Sequence, residues 1–468
     1  MTIKKKKNLH HQLNVTVNQW GEKMKKTVVE PFRLWVKAAR GEFKAYFKRN
    51  GTVILVLALI VIAAYGFDLF NLNLTIDEEI HSFYYPPETW IRQGRWGIFL
   101  LRKLFLPYTT VPVIPLLLGL GLHLLGMLIL IEAWEVKRGW QKVMIGAIGI
   151  ICPVTATMYT FSIMNFAIGA GYFLVALSVL AYSRMQKGWK YLAIFPGILA
   201  IAMYQAFLPT LLTAYLAYLL TRGLEKNPKL LKGIAESAMI TIGSLLGYWG
   251  IQKLLELYDE SFISAYITNQ LSLPASWQEI LDLGRIFLQQ MFRLYSGHES
   301  LYIEKVYVLG VLMFIIGIAY IVRLFNLKAK LGVKILSLLI FTGIVITPFI
   351  SGFFMKGVYS PRFLLSYPMA LAALFMEGVT FKNRFMQGLL GICAVLTIFS
   401  FTLTDNRLVA SSHLTLQKDR LVASNLNIRI ADAASEAGVR VADLKYMEIV
   451  GYLSYPEADL FPKVDTFG

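Results

Sequence analysis

The chain has 468 residues, of which 56% are hydrophobic and only 16% charged, against about 25% charged residues in soluble domains. This balance excludes a soluble multidomain protein, and long apolar runs argue against nucleic-acid binding as the reason for the formal charge of +17. The two cysteines, Cys152 and Cys393, lie inside apolar runs, which favours buried thiols over a disulfide or a zinc site.

The N-terminal segment, residues 1–50, begins with the basic run Lys4–Lys7 and then mixes aromatic with basic residues. Such a pattern is typical of an amphipathic helix on the anionic cytoplasmic leaflet, although a topology signal alone would also explain it. The segment lacks the short apolar core and cleavage site of a secretory signal. We therefore expect the first apolar run to remain as a membrane anchor.

Eleven segments approach the length of about 17–25 apolar residues that crosses a bilayer. They are residues 52–70, 110–131, 143–161, 163–182, 191–204, 207–221, 235–252, 306–322, 335–352, 363–379 and 387–403. The sequence thus predicts an all-α polytopic membrane protein of about 11 transmembrane helices. Residues 191–221 are either two short spans or one re-entrant, kinked unit.

The distribution of charge predicts the orientation. Residues 1–50 and alternate loops together carry a net charge of +23, and the rest of the chain carries −6. Under the positive-inside rule the N-terminus is cytoplasmic and, with eleven spans, the C-terminus is extracytoplasmic. We expect three regions: the basic segment 1–50, a transmembrane domain 51–404 with outer loops 71–109 and 253–305, and an outer C-terminal segment 405–468 with small α/β structure, its strand near Tyr446–Val450.

The first outer loop carries three consecutive carboxylates, Asp77, Glu78 and Glu79, a few residues after a span. Thr75 and Glu78 fit a capping box, which predicts a short helix with Asp77 and His81 on one face. Acidic residues in a first helical turn also stabilise the helix dipole, so a purely structural role stays open.

The second half of this loop is expected to form one helix from Glu88 to about Phe105, with Arg92, Arg95 and Arg102 along one stripe. Guanidinium groups bind phosphate oxygens well, although snorkelling to lipid headgroups is the alternative. Carboxylates and arginines on one side of a membrane suit transfer of a group from a lipid phosphate to a hydroxyl.

Several short motifs carry a family resemblance. Acidic residues after the first span are followed by Gly94-Arg95-Trp96, Tyr204-Gln205, Arg362 and an outer tail with Asp419-Arg420. Together they resemble the bacterial glucosyl transferase II family, best known from enzymes that glucosylate O-antigen. The resemblance implies a GT-C-like bundle, a polyprenyl-phosphate sugar donor and an inverting displacement.

The resemblance also implies roles for individual residues. The catalytic carboxylates are Asp77 and Glu78, with Glu79 the alternative, and Asp77 is the expected base. Some GT-C enzymes use a divalent cation, Mg²⁺ or Mn²⁺, which Asp77 and Glu78 would hold. The expected phosphate ligands are Arg92, Arg95, Arg102 and Arg362, and the expected substrate-lining residues are His81, Tyr85, Trp90, Trp96, Tyr204 and Gln205.

The function expected from these features is transfer of a hexose, glucose or a close relative, to a surface glycan at the bacterial plasma membrane. The expected partners are the lipid-linked donor, the glycan acceptor and the bilayer, with functional coupling to a donor-lipid synthase and a small flippase. A polysaccharide polymerase or ligase and a transporter or lipid flippase are the alternatives. A transporter should show inverted repeats and ionisable residues within spans, which this sequence does not display.

Four further expectations concern the spans themselves. His123, midway along the second, should be a neutral side chain bonded to a neighbouring helix. Glu236 and Glu377 fall near predicted cytoplasmic ends and should be solvated, whereas Gly243 and Gly247 form a GxxxG pair that predicts a close helix contact.

Overall fold

The computed structural model describes residues 30–71, 87–106, 111–185, 188–226, 230–263, 274, 276–300, 304–355, 357, 359–380 and 383–443. The chain divides into two compact units, Met1–Val56 and Leu57–Gly468. The described part of the first unit is helical, and Asn50 Nδ2 there donates to the Tyr46 carbonyl over 3.1 Å. The elements that carry the candidate site belong to the second unit.

Sixteen α-helices occur within the described ranges. They are α1 (Glu30–Phe70), α2 (Thr89–Arg92), α3 (Trp96–Phe105), α4 (Ile114–Ala133), α5 (Gly139–Ile150), α6 (Pro153–Tyr159), α7 (Asn165–Arg184), α8 (Ile194–Met203), α9 (Phe207–Lys226), α10 (Leu230–Tyr258), α11 (Trp277–Tyr295), α12 (Tyr307–Asn326), α13 (Leu331–Ile346), α14 (Ile350–Phe354), α15 (Ser366–Gly378) and α16 (Arg384–Glu436). Short 3₁₀ turns such as Trp189–Ala193 and Pro361–Phe363 link some of them.

Seven of the described helical segments are long and apolar enough to cross a membrane, and α5 with α6 forms an eighth if that pair, bent by 52°, is one span. The expected all-α membrane architecture is therefore confirmed for the residues that the structure describes, whereas the count of eleven stays a prediction. In the stretch 191–221, α8 and α9 are separate helices that meet at Tyr204.

The centre of the bundle is α15, because all thirteen of its residues are buried. It packs against α5, α9 and α12. The most extensive helix pair is α4 with α7, and small residues allow it: a methyl group on Gly119 would lie 2.5 Å from the Asn165 carbonyl oxygen. This tight core fixes the ends of the helices that position the site.

The last helix, α16, is 53 residues long and begins at Asn383, whose side chain accepts hydrogen bonds from two backbone N–H groups of the first turn. It contains no proline and no glycine after Gly391, and it ends just before Gly438, which has a positive φ of 65°. The domain boundary predicted at residues 404–405 thus falls inside a continuous helix. The predicted strand Tyr446–Val450 lies outside the described residues, so an α/β tail stays a prediction.

The expectation for His123 is confirmed, because its ring lies 3.0 Å from the Tyr159 hydroxyl and is fully buried. The expectation that Glu236 and Glu377 are solvated is wrong. Both are buried and form ion pairs, Glu236 with Lys190 and Glu377 with Arg323. Charged residues at span ends can satisfy each other across helices, which a one-dimensional hydropathy pattern does not reveal.

Candidate active site

The predicted catalytic segment lies outside the residues that the structure describes. This applies to Asp77, Glu78, Glu79, His81 and Tyr85, whose roles stay predictions. The described part of the site begins immediately after them, at residue 87, and includes all four of the candidate phosphate-binding arginines.

The stretch from Glu88 to Phe105 is two helices, not the single helix that the sequence predicted. Gly94 stops α2 with a φ of +71°, a conformation that glycine adopts without strain. The N–H of Arg95 donates to the Trp90 carbonyl over 2.7 Å, closing the helix end in the manner of a Schellman motif. Because the break reorients everything that follows, Arg92, Arg95 and Arg102 do not share one stripe.

The break at Gln93–Arg95 is held by polar side chains from other helices. Gln205 Nε2 donates to the Gln93 carbonyl over 2.8 Å and to the Tyr248 hydroxyl over 3.1 Å. The Tyr248 hydroxyl in turn donates to the Gly94 carbonyl over 2.9 Å. These bonds satisfy backbone groups that the end of α2 leaves without helical partners, and we call the arrangement the Tyr248 latch.

Close backbone packing completes this region. A methyl group on Gly97, in the first turn of α3, would lie 2.7 Å from the carbonyl carbon of Ala202 in α8. Only glycine permits that approach. The sequence motif Gly94-Arg95-Trp96-Gly97 therefore combines a helix stop with a helix contact, and it places the turn against Tyr204-Gln205.

Arg95 projects into an aromatic environment. Its guanidinium carbon lies 4.6 Å from the centre of the Tyr204 ring and 5.9 Å from that of Trp90. One terminal nitrogen donates to Gln93 Oε1 over 2.8 Å, whereas Nε is buried and has no hydrogen-bond partner. The structure thus brings together four residues that were selected from sequence: Arg95, Trp90, Tyr204 and Gln205. The Arg95 cation lies against two aromatic rings, and its Nε–H is a hydrogen-bond donor that no protein group uses.

Arg102 lies elsewhere on α3, where it is buried and donates to the Ile163 carbonyl over 3.3 Å. The cleft around it is mainly apolar, lined among others by Leu101, Leu106, Pro115 and Phe166. A guanidinium at the edge of an apolar cleft has the chemical character needed to hold the phosphate of a lipid.

The other two arginines occupy different elements. Arg92 is exposed at the end of α2. Two hydrogen bonds from Ser261 hold the pKa of Asp259 below its ordinary value, and the positive charge of Arg92 adds a smaller effect in the same direction. Arg362 lies on the 3₁₀ turn Pro361–Phe363, which packs against α6, and its Nε donates to Ser360 Oγ over 3.3 Å.

Trp96 is buried within an apolar cluster that includes Ile201 and Ala202.

Sequence reasoning missed two members of the site, Tyr248 and Gln252. Gln252 Nε2 donates to the Ile91 carbonyl over 3.2 Å, one helical turn beyond the Tyr248 latch. A signal was present, because the predicted GxxxG contact is confirmed: Gly243 and Gly247 face Ile194 and Ile198 of α8. Tyr248 and Gln252 follow these glycines on α10, and the i, i+4 spacing keeps both near that contact.

The fold and this site define a multi-helix membrane protein in which short amphipathic helices carry arginines beside aromatic rings. The family model for the glucosyl transferase GtrII matches residues 66–377, two thirds of the chain, and the chain belongs to this family. The protein is therefore a glycosyltransferase, as the sequence resemblance predicted. No curated protein and no solved structure matches the chain.

Proposed function

We propose that the protein transfers a hexose from a polyprenyl-phosphate donor to a glycan acceptor on the outer face of the bacterial plasma membrane. The observation that carries this proposal is the placement of Arg95 over Tyr204 and beside Trp90 at a turn fixed by the Tyr248 latch. The aromatic rings fix the position of the guanidinium, and the unpartnered Arg95 Nε is a donor for a phosphate or sugar oxygen.

Arg102 and its apolar cleft support a lipid-linked donor in particular. The cleft suits the first isoprene units while the guanidinium neutralises the phosphate. The charge distribution along the chain supports a location of this region at the outer face. A donor synthesised inside the cell would then need a flippase to reach it, which supports coupling to a donor-lipid synthase and a flippase.

In the proposed reaction the acceptor hydroxyl attacks the anomeric carbon and the bond from that carbon to the phosphate oxygen breaks. The acceptor proton passes to Asp77, the glycosidic bond forms with inversion, and polyprenyl phosphate leaves with the electron pair. Arginine donors stabilise the departing phosphate, and the transition state has oxocarbenium character. Among the described residues no group of three or more His, Cys, Asp or Glu side chains could hold a metal. In this proposal a divalent cation would be held by Asp77 and Glu78.

The catalytic assignment is tested by release of polyprenyl phosphate from purified protein given polyprenyl-phosphate glucose and surface glycan. Asp77→Asn should abolish release because the acceptor then has no base, and Glu78→Gln should reduce it strongly. Both variants should keep the thermal midpoint of wild type. Full turnover in both would show that the catalytic carboxylates lie elsewhere.

The role of Arg95 is tested in the same assay with Arg95→Lys. Lysine keeps the charge but loses the planar donors and the stacking on Tyr204, so KM for the donor should rise roughly tenfold. The matched control is Arg285→Lys on α11, where the arginine is exposed. An equal response of the two variants would contradict a role for Arg95 in donor binding.

A further inference from the structure

Helix α11 has the length of a membrane span but not its composition. Four of its 19 residues are charged: Glu279, Asp282, Arg285 and Arg293. It is therefore not among the seven segments that are apolar enough to cross a membrane, whereas α10 before it and α12 after it both are. The sequence predicts no further span between α10 and α12, so the end of α10 and the start of α12 emerge on one side of the membrane. Helix α11 belongs to that side.

One face of α11 packs on the bundle. Leu283 and Ile286 lie against Gly357, where an added methyl group would meet their side chains at 3.2 and 3.1 Å. The ring of Phe287 meets that of Phe349 edge to face, with 6.0 Å between the ring centres. These contacts fix the rotation of α11 about its own axis, and so they determine which residues point away from the bundle.

A second face of α11 is apolar and exposed. Its large side chains are Trp277, Leu281, Leu288 and Phe292, which are between 52% and 73% exposed. At 3.6 residues per turn these four positions lie within about 60° of one another around the helix. They form a continuous row, which we call the α11 stripe. Such a row of large apolar side chains is unfavourable in water and marks a surface that another apolar phase covers.

A third face of α11 is polar and exposed. Asp282, Gln289 and Arg293 lie on it, and Arg285 stands at its border with the α11 stripe. The helix thus has three sectors, one against protein, one exposed and apolar, and one exposed and polar. A helix that crosses a membrane meets only protein and lipid at its middle, and a helix in water keeps its large apolar residues covered. Protein, lipid and water all meet along one helix only at the membrane surface.

Size and charge indicate that lipid, not a second copy of the chain, covers the α11 stripe. Four partly exposed side chains supply less than the about 800 Å² that each partner contributes to a stable protein interface. Arg285 beside the stripe is suited to the phosphates of lipid headgroups. Trp277, which begins the stripe, is of the residue type that is enriched where headgroups meet acyl chains.

We propose that α11 lies along the membrane surface with the α11 stripe inserted among the acyl chains of phospholipids in the outer leaflet. Arg285 then lies at the level of the phosphates, and the polar face of α11 is in contact with water. The outer loop 253–305 is thereby in part a membrane-bound element that anchors the loop to the leaflet. The proposal is independent of the sugar donor, because it concerns only bulk phospholipid.

The test uses the full chain in nanodiscs of phosphatidylcholine and phosphatidylglycerol, with a bimane fluorophore on one introduced cysteine. Leu288→Cys reports on the α11 stripe, and Gln289→Cys, the next residue and exposed on the polar face, is the matched control. Phospholipids that carry a nitroxide on the acyl chain should remove most of the fluorescence at residue 288, whereas aqueous iodide should remove little. At residue 289 the order should be reversed. Cys152 and Cys393 are buried and give little background.

Leu281→Cys and Phe292→Cys test whether α11 lies along the surface. These positions are eleven residues apart, which is about 16 Å along a helix axis. Nitroxides placed at a shallow and at a deep position of the acyl chain should quench both labels in the same ratio. A shallow label at one position and a deep label at the other would mean that α11 stands across the membrane, and this would refute the proposal.

Two further outcomes at residue 288 would overturn it. Quenching by iodide and not by the nitroxide lipids would show that the α11 stripe is in water. Resistance to both quenchers, together with the mass of a dimer, would show that a second copy covers the stripe. All four positions are exposed, so the labelled variants should keep the thermal midpoint of wild type. Because the nanodiscs contain no polyprenyl lipid, quenching by the nitroxide lipids identifies phospholipid as the occupant.

Discussion

Tyr248 shows how one side chain organises the candidate active site. Its hydroxyl receives a hydrogen bond from Gln205 and donates one to the Gly94 carbonyl, so it joins α10, the turn after α8 and the turn after α2. Neither bond touches Arg95 itself. Tyr248 is thus a positioning residue, which acts on substrate through the geometry of the turn that carries Arg95.

Tyr248→Phe tests that role. Loss of both hydrogen bonds should lower the free energy of unfolding by about 1 kcal/mol. Because the turn is then less well fixed, KM for the donor should rise. The fold-increase in KM should be several times larger than the fold-decrease in kcat. The measurement is the rate of polyprenyl phosphate release as a function of donor concentration, together with the thermal midpoint.

Tyr258→Phe is the matched control, because this tyrosine lies on the same helix and is 87% exposed. It should leave both kinetic constants unchanged. A fall in kcat at constant KM for Tyr248→Phe would instead indicate a direct part in the chemical step, and no change at all would refute the latch.

At the scale of single elements, the approach of α3 to α8 makes a sharp prediction for Gly97→Ala. The added methyl group would meet backbone atoms of Ala202 and Met203 at 2.7–2.9 Å, and backbone cannot move aside as a flexible side chain can. We expect a loss of about 1–3 kcal/mol in stability and weaker donor binding, since α3 carries both Arg102 and the turn before it.

Gly121→Ala in α4 is the comparison, because a methyl group there meets nothing within 4 Å. This variant should be neutral or slightly stabilising, since alanine favours helix more than glycine does. Thermal unfolding of both variants decides the matter, and equal midpoints would contradict the close helix contact.

The same elements show what could be predicted from sequence. Arg95, Trp96, Tyr204 and Gln205 were all selected from sequence, and the structure places the turn that carries Arg95 against Tyr204 and Gln205. Their partner Tyr248 was missed because its sequence signal is indirect: it directly follows the Gly243 and Gly247 pair, which predicts a helix contact but not a hydrogen bond. The continuous helix over 88–105 was wrong because a positive φ at Gly94 outweighed the apolar periodicity on both sides.

The limits of hydropathy appear again in α16. Polarity rises after residue 404, which suggested a new domain there, yet the absence of proline and of glycine after Gly391 lets the helix continue. Composition indicates where apolar surroundings end, not where a helix ends. The burial of Asp405 also escaped sequence reasoning, because it depends on how α16 packs against α5 and α6.

For the whole molecule, the proposed orientation can be tested by cysteine labelling in intact cells. Ser424→Cys, at an exposed position on α16, should react with a membrane-impermeant maleimide from outside. Lys328→Cys, exposed between α12 and α13, should react only after lysis, since its basic loop is expected in the cytoplasm.

The unmodified protein provides the background, because Cys152 and Cys393 are both buried and should label little. The reverse pattern of labelling would place the candidate site in the cytoplasm and would refute an acceptor on the cell surface. Labelling of both positions from outside would mean that the number of spans between them is even.

The length of α16 determines how far this helix extends beyond the apolar layer of the membrane. Its 53 residues extend over about 80 Å, of which the apolar layer of a membrane accounts for roughly 30 Å. The helix is therefore also a spacer: its tip at Glu436 stands some 45 Å along the helix axis from Asp405. A stiff rod of that length couples its two ends, so a tilt of only ten degrees about Asp405 would sweep the tip through about 8 Å.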